Sequence, residues 1–550
     1  MVKLINLLPI LTSLAFTSVR IPTIPSFLSG SVDCDSPPSI PPSLLINCTT
    51  QASLDSAFSP LTENYNLALS VSPKKGTSSS SSSSSSRMSL RRFLFNNFAK
   101  ASRSRLSTTR KIMRRIRVVG DSRLYNIDSD SDSPKAQPHA VVQLLHHRLE
   151  TSSTPQSRSQ SKSKSKSKSE VDTAKVALCI EGGGMRGCVS AGMASCIHHL
   201  NLTSSFDVVY GSSAGSLIGA YFITGQLPYF GPEVYYDLLT KKISGKGFID
   251  TGRIGRALGL GLVDPRLVKD TLFRREMGKP VLDLSYLLKS VAIERQPLDW
   301  DKFERAQKEE GGGLPLKIIA SNLDKEKSIT MSYPSSFSTP AELSECMWCS
   351  MLLPGLAGPP IRLPRPPANG DRLIDALVYE PLPYSSAVSD GATHCLVLRT
   401  RPDGVDVTGE PSFLEAMITK RFFLKKCGLR RIFARMRNQI HKLVYARQVI
   451  ETNELSKRRG SDGGGASPHV LAVAMEPGSE EVTRLELDRK QIFEGVRRGF
   501  AAAYDVLVVG GKRGDGMRVA REVYPDAILD YDPAVIKGGY EEYLKMRTIK

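Results

Sequence analysis

The chain predicts an α/β fold with a mainly parallel central sheet, and two observations carry that prediction. Apolar, β-rich runs alternate with helical patterns through residues 172–402, the order that lays helices on a parallel sheet. Two of those runs, Val176 to Ile180 and Phe206 to Tyr210, end directly in glycine turns that open helices.

The first passage runs V-A-L-C-I into Gly182-Gly183-Gly184-Met185-Arg186-Gly187, and a helical pattern follows through Met193, Ile197 and Leu200. G-x-G-x-x-G after a strand matches a dinucleotide fingerprint, which needs an acid at the end of the next strand to hold the ribose. That strand ends here in Tyr210-Gly211, with Asp207 at its start, so the nucleotide reading fails. The other reading is an oxyanion hole. Consecutive backbone N–H groups at a helix start face the reacting atom, glycines allow close approach, and Arg186 adds a positive charge nearby.

The second passage ends in Gly211-Ser212-Ser213-Ala214-Gly215 and leads into Leu217, Ile218 and Tyr221. G-x-S-x-G between a strand and a helix is a nucleophile elbow, a strained corner that exposes the serine hydroxyl at the sheet edge. Gly211 and Gly215 are needed because a Cβ at either would collide with the adjoining strand and helix. An ordinary glycine turn is the plainer alternative, but the apolar strand before and small-residue helix after supply the elbow's context. Ser213 is therefore the candidate nucleophile, and the two passages become parts of one site.

Further elements follow in order. Tyr235 to Leu239 and Ile254 to Leu262 read as helical, and Leu314 to Ser321 as a buried strand. Leu343 to Leu353 reads as a helix stopped by Pro354-Gly355, and His394 to Arg399 as a last core strand.

G-G-G-M-R-G followed by G-S-S-A-G resembles the patatin-like phospholipase family over roughly Lys175 to Pro402. The resemblance implies a patatin-like three-layer fold, a Ser–Asp dyad without histidine, and no metal or organic cofactor. It also implies a downstream D-G-[GA] element with a proline eight residues after the acid. Asp375-Ala376-Leu377 with Pro383 fits the acid and the proline but lacks both glycines. Asp390-Gly391-Ala392 spells the motif literally but has no matching proline. It also precedes a strand, which puts it at the sheet's amino edge, whereas ligands of open α/β sheets bind outside the carboxyl ends. Asp375 is the expected base, and the Gly183 and Gly184 amides the expected oxyanion donors, within the loop Gly182 to Gly187.

Histidines offer a Ser-His-Asp alternative. His198 and His199 fall on the first helix, His394 opens a strand and His441 lies in a basic helical pattern; only His469 is positionally suited. Cys346-x-x-Cys349 is a lone close pair in a helical pattern, where thiols act as small apolar residues, and no second pair completes a zinc site. The nine scattered cysteines suggest no disulfide framework, which fits a reducing compartment.

The 550 residues carry a net charge of +19, and residues 1–170 hold 23 Lys+Arg against 10 Asp+Glu. Nine serines in a row (Ser78 to Ser86) and the Ser-Lys alternation from Ser161 to Ser169 cannot bury enough apolar surface to offset ordering. Residues 1–90 are expected to be a disordered targeting leader and 91–171 a basic, low-complexity linker. Leu4 to Val19 is interrupted by polar residues and too short to span a bilayer. The Ser- and Arg-rich, acid-poor continuation reads as a transit peptide to an organelle such as a plastid, with the secretory route as the alternative.

Arg87 to Arg117 holds 11 basic residues and no acid, punctuated by Leu90, Phe93 and Phe98. It reads either as an interfacial segment for an anionic membrane or lipid-droplet surface, or as more of the transit peptide. No nucleic-acid-binding fold accompanies the charge, so nucleic acid is not an expected partner. Asp128 to Asp132 lacks the glycine and distal Glu of a calcium loop.

Residues 403–550 form a basic helix and a C-terminal α/β extension. Ala416 to Ile450 carries ten Lys+Arg and no acid, with Leu429, Ile432, Phe433, Met436, Ile440 and Leu443 at helical spacing. That stripe packs on the core or faces a membrane. Ser456 to Pro468 reads as a loop, Val470 to Met475 as a strand and Asp488 to Tyr504 as an amphipathic helix. The function expected is acyl-ester hydrolysis of a glycerolipid by Ser213 and Asp375. An acyltransferase using the same serine, and a non-catalytic lipid-binding relative, are the alternatives.

Overall fold

The computed structural model describes residues 138–151, 172–241, 247–250, 280–292, 294–308, 313–409, 413–457, 468–509 and 514–530. The leader, the basic block at Arg87, the acidic run at Asp128, the Ser-Lys run and the helical pattern at Ile254 to Leu262 lie outside these residues.

In chain order the structure places α1 (Ala140–Glu150), β1 (Val176–Ile180), α2 (Gly187–His199), β2 (Val208–Ser212) and α3 (Ala214–Ile223). Next come β3 (Leu316–Asn322), β4 (Lys327–Ser332), α4 (Pro340–Met351), β5 (Ile361–Arg362), β6 (Arg372–Ile374), α5 (Tyr384–Ser389) and β7 (His394–Leu398). The chain continues with α6 (Arg430–Arg437), α7 (Ile440–Ser456), β8 (His469–Val473) and α8 (Arg489–Leu507).

Among the described residues eight strands join one sheet in the order β5-β6-β3-β2-β1-β7-β8, with β4 also on β3. The run β3-β2-β1-β7-β8 is parallel throughout, while β4, β5 and β6 pair antiparallel. Its strands are buried on both faces, which is why β1 reads VALCI without polar alternation. Leu178, Ile180, Leu396, Leu398, Leu471 and Val473 belong to one core, with α2, α3, α4 and α8. Ala177, Cys179, Cys395, Val397, Val470 and Ala472 belong to a second core on the other face, with α5 and α7. Helix, sheet and helix thus make three layers, and the larger side chains face the thicker layer.

α2 is buried almost along its whole length because α8 covers the side turned away from the sheet. Gly192 of α2 and Gly499 of α8 make that contact possible. A Cβ on Gly192 would strike the Val496 carbonyl, and one on Gly499 the Val189 carbonyl. The expected stripe at Leu429 to Leu443 is two helices, α6 and α7, broken at the left-handed Gln439. Ile432, Met436 and Leu443 are buried in the core.

Inside the stretch read as linker, α1 packs Val141, Val142 and Leu145 against the core. Its Arg148 is buried and reaches Asp172 (2.7 Å), Asp207 (2.8 Å) and the carbonyls of Ser205 (2.7 Å) and Ala174 (2.8 Å). Serine-rich flanks hide this helix from a compositional reading.

The edge of β3 positions the site. β4 fills one edge over residues 317–322, so β2 and β6 share the other. β2 pairs parallel up to Ser212 opposite Ile319, and β6 pairs antiparallel with Ile374 opposite Ser321. The two strands run toward each other and stop one residue apart on the ladder. The residues that follow them, Ser213 and Asp375, therefore emerge at one spot.

Candidate active site

Ser213 has φ 52° and ψ −125°, a region a side-chain-bearing residue rarely occupies. Hydrogen bonds hold the backbone there. The Ser213 N–H donates to the Ser350 hydroxyl (2.8 Å), which donates to the Ile319 carbonyl (2.5 Å). The Ser213 carbonyl accepts both the amide (2.9 Å) and hydroxyl (2.7 Å) of Ser216. A Cβ on Gly211 would lie 2.5 Å from the Ser216 Cα, and one on Gly215 would meet the Ile180 carbonyl, so helix and strand both demand glycine. Ser212 turns the opposite way and donates to the Glu380 carbonyl (3.1 Å).

Asp375 is 4% exposed. Its Oδ2 accepts the Ser213 hydroxyl at 2.9 Å, and its Oδ1 accepts the Leu377 amide at 2.8 Å. The Leu377 bond caps a short 3₁₀ turn, Ala376–Val378. Neither Ala376 nor Leu377 takes a left-handed φ, so the turn forms without the glycines of D-G-G. Burial pushes the Asp375 carboxyl up to about 6, against the opposing pull of the Leu377 amide, the Ser213 hydroxyl and Arg484. Asp390 lies elsewhere, accepting from Tyr210 (2.7 Å) and Lys317 (2.8 Å), while its carbonyl takes Lys175 (2.9 Å). Partial burial works to raise its pKa, but Lys317 and Tyr210 outweigh it and hold the carboxyl below its usual range.

The glycine loop runs against the serine. A Cβ on Gly182 would sit 2.5 Å from the Ser213 Cβ. Gly184 has φ +63°, and a Cβ there would be 2.8 Å from the Arg484 carbonyl, which also accepts the Met185 amide at 3.1 Å. A Cβ on Gly187 would press on the Tyr235 ring, 2.7 Å from Cζ. Among the described residues no hydrogen bond takes up the amide of Gly183 or Gly184. The loop is tied to the end of β7, where the Glu181 carboxylate accepts the Thr400 amide (2.6 Å) and the Thr400 hydroxyl donates to the Gly182 carbonyl (3.2 Å). Arg186 is buried and pairs with Glu481 (2.7 Å), a carboxylate it shares with Arg401 (3.4 Å). Burial and Arg401 lower its pKa while Glu481 opposes them.

Ser213, Asp375 and the glycine loop line a cavity of about 70 Å³, walled by apolar residues including Leu217, Leu239, Leu282 and Met351. No histidine lines it. His394 and His469 instead face each other at the amino ends of β7 and β8, ring centroids 4.8 Å apart. Cys346 and Cys349 are buried free thiols on α4, and burial pushes Cys346 up to about 12. Among the described residues no group of His, Cys, Asp and Glu is arranged to hold a metal ion, and no helix is long and apolar enough to cross a membrane.

Sequence reasoning missed four lining or supporting residues: Glu181, Ser350, Tyr445 and Arg484. Glu181 abuts the glycine loop and was within reach of it. The other three come from distant elements, and no local pattern marks them.

A three-layer α/β sheet that sets an elbow serine beside a glycine loop defines the class of protein. Residues 178–388 match the family model of the patatin-like phospholipases, and the chain carries a patatin-like phospholipase domain there. That match supports lipid acyl hydrolysis in general terms. No curated protein matches the chain. The crystal structure of VipD from Legionella pneumophila is similar over 66% of this chain and 77% of that one, at 13% identity. Its TM-score is 0.27.

Proposed function

We propose that this protein hydrolyses fatty-acyl esters of glycerolipids through an acyl-enzyme on Ser213, with Asp375 as the only general base. The carrying observation is the 2.9 Å contact between the Ser213 hydroxyl and the buried Asp375 carboxylate. Asp375 takes the hydroxyl proton as Oγ attacks the ester carbonyl, and the tetrahedral oxyanion is held by the Gly183 and Gly184 amides. Collapse expels the alcohol, which takes the proton back from Asp375. Water then gives its proton to Asp375 and attacks the acyl-enzyme, releasing the fatty acid and returning the proton to Ser213. A carboxyl raised to about 6 is a stronger base than a free aspartate yet still ionised at neutral pH. The capped 3₁₀ turn argues against a non-catalytic relative, because the altered glycines leave the acid held.

The basic block at Arg87 to Arg117 and the net charge of +19 support a peripheral role on anionic membranes or lipid droplets after delivery to an organelle. Equal binding of the full chain and a chain lacking residues 1–137 to anionic vesicles at low salt would remove that part of the reading.

Fluorophosphonate labelling and a panel of glycerolipids test the chemistry. Wild-type protein is expected to label and to release fatty acid; Ser213→Ala is expected to do neither while remaining folded. Labelling that survives in Ser213→Ala overturns the assignment.

A further inference from the structure

A second cavity, about 210 Å³ and almost wholly apolar, lies beside the first and shares Leu217 with it. The two adjoin along α3 and α4. Along α3 the wall passes from Leu217 to Tyr221, one turn onward, and along α4 from Met351 to Met347, one turn back. Leu287 faces the first cavity and Leu288 the second. α3 begins at the nucleophile, and α4 ends beside it, where Ser350 holds the Ser213 amide. The second cavity therefore lies farther from Ser213 than the first, one turn along each of the two helices.

We infer that the second cavity receives the distal half of a long acyl chain esterified to Ser213, and that Leu217 is the partition over which the chain passes. The inference rests on the hydrolase reading and adds a preference for long-chain acyl groups. At about 1.5 Å of rise per helical residue, Tyr221 lies about 12 Å along α3 from Ser213. A hydrocarbon zig-zag of ~1.5 Å bonds advances about 1.3 Å per carbon, so carbons beyond roughly the eighth reach the second cavity. Carbons nearer the carbonyl stay in the first, whose volume is a third as large. The far cavity is lined by Trp300, Leu298, Leu343 and Met347, and among the described residues only Ser344 and Tyr221 bring hydroxyls to it. Such a lining suits methylene groups and offers nothing to a charged head group. The Leu217 side chain has two rotatable bonds, and a rotamer change joins the two spaces.

Ser344→Phe and Ala292→Phe fill the far cavity from two separate elements. The ratio of kcat/KM on a palmitoyl ester to that on a butyryl ester is measured for the full-length protein and both variants. A fall of about tenfold or more in either folded variant supports the inference, and an unchanged ratio in both overturns it. Binding of cis-parinaric acid, an 18-carbon fluorescent fatty acid, is measured in parallel. If the wild type cleaves no ester, the hydrolase reading fails, and this binding decides the cavity alone. Weaker binding in the variants sustains the cavity assignment, and equal binding ends it.

Discussion

Ser350 holds the backbone of Ser213, not its hydroxyl. One oxygen accepts the Ser213 amide at 2.8 Å and hands its own proton to the Ile319 carbonyl at 2.5 Å. α4 is thereby fastened between the elbow and the strand that aligns it. Ser350→Ala strands a buried N–H and a buried carbonyl, at about 1–3 kcal/mol. It also frees the strained turn to relax, and a misplacement near 1 Å is worth about 10²-fold in rate. The expected outcome is a fall in kcat of about 10- to 100-fold with little change in KM, and lower stability in chemical denaturation.

The pH dependence follows from Asp375. With the carboxyl raised to about 6, kcat/KM on a soluble ester should climb through an acid limb near pH 6, then level off. A limb near pH 4 would mean a solvated base.

The same group ties stability to pH. Asp375 holds its proton more tightly folded, at about 6, than unfolded, at roughly 3.9. Its ionisation therefore costs stability: nothing below about pH 4, increasingly from 4 to 6, and fully above 6, to about 2–3 kcal/mol. Asp375→Asn should abolish turnover yet melt higher than wild type at pH 8, with the gain gone at pH 4. Melting curves at the two pH values check this.

Gly184→Ala should remove most activity while the sheet survives. The alanine must take φ +63°, at about 1–2 kcal/mol, and push its Cβ against the Arg484 carbonyl that anchors the loop. Circular dichroism beside an ester assay separates loop damage from unfolding.

Residue 138 is a better starting point for a shortened chain than residue 172. A chain of 138–550 keeps Arg148; one of 172–550 leaves Asp172 and Asp207 without it. Removing one partner from a largely buried ion pair costs about 3–5 kcal/mol, somewhat less here because the two aspartates are partly exposed. The shorter chain should melt markedly lower.

Ser213 was readable because everything the elbow needs is local: strand, glycines and helix lie within sixteen residues. Asp375 was less so. The element after it carries alanine and leucine where the motif has glycine, and proline spacing and sheet-edge logic had to choose it over Asp390. Ser350, Tyr445 and Arg484 had no sequence signal, since only packing brings them to the site. β5 and β6, of two and three residues, are too short for periodicity to register. β4 alternates properly but follows β3 without a marked turn motif. α1 was lost among serine-rich flanks.

The head-on meeting of β2 and β6 makes catalysis a late reporter of folding. Ser213 and Asp375 stand 162 residues apart in sequence, and neither strand touches the other through its own ladder. Both are aligned by β3, so a chain with formed helices and an incomplete sheet has the two side chains but not the pair. Ester turnover should thus disappear at the denaturant concentration where β3 loses its partners. A nascent or unfolded chain would be inert toward esters.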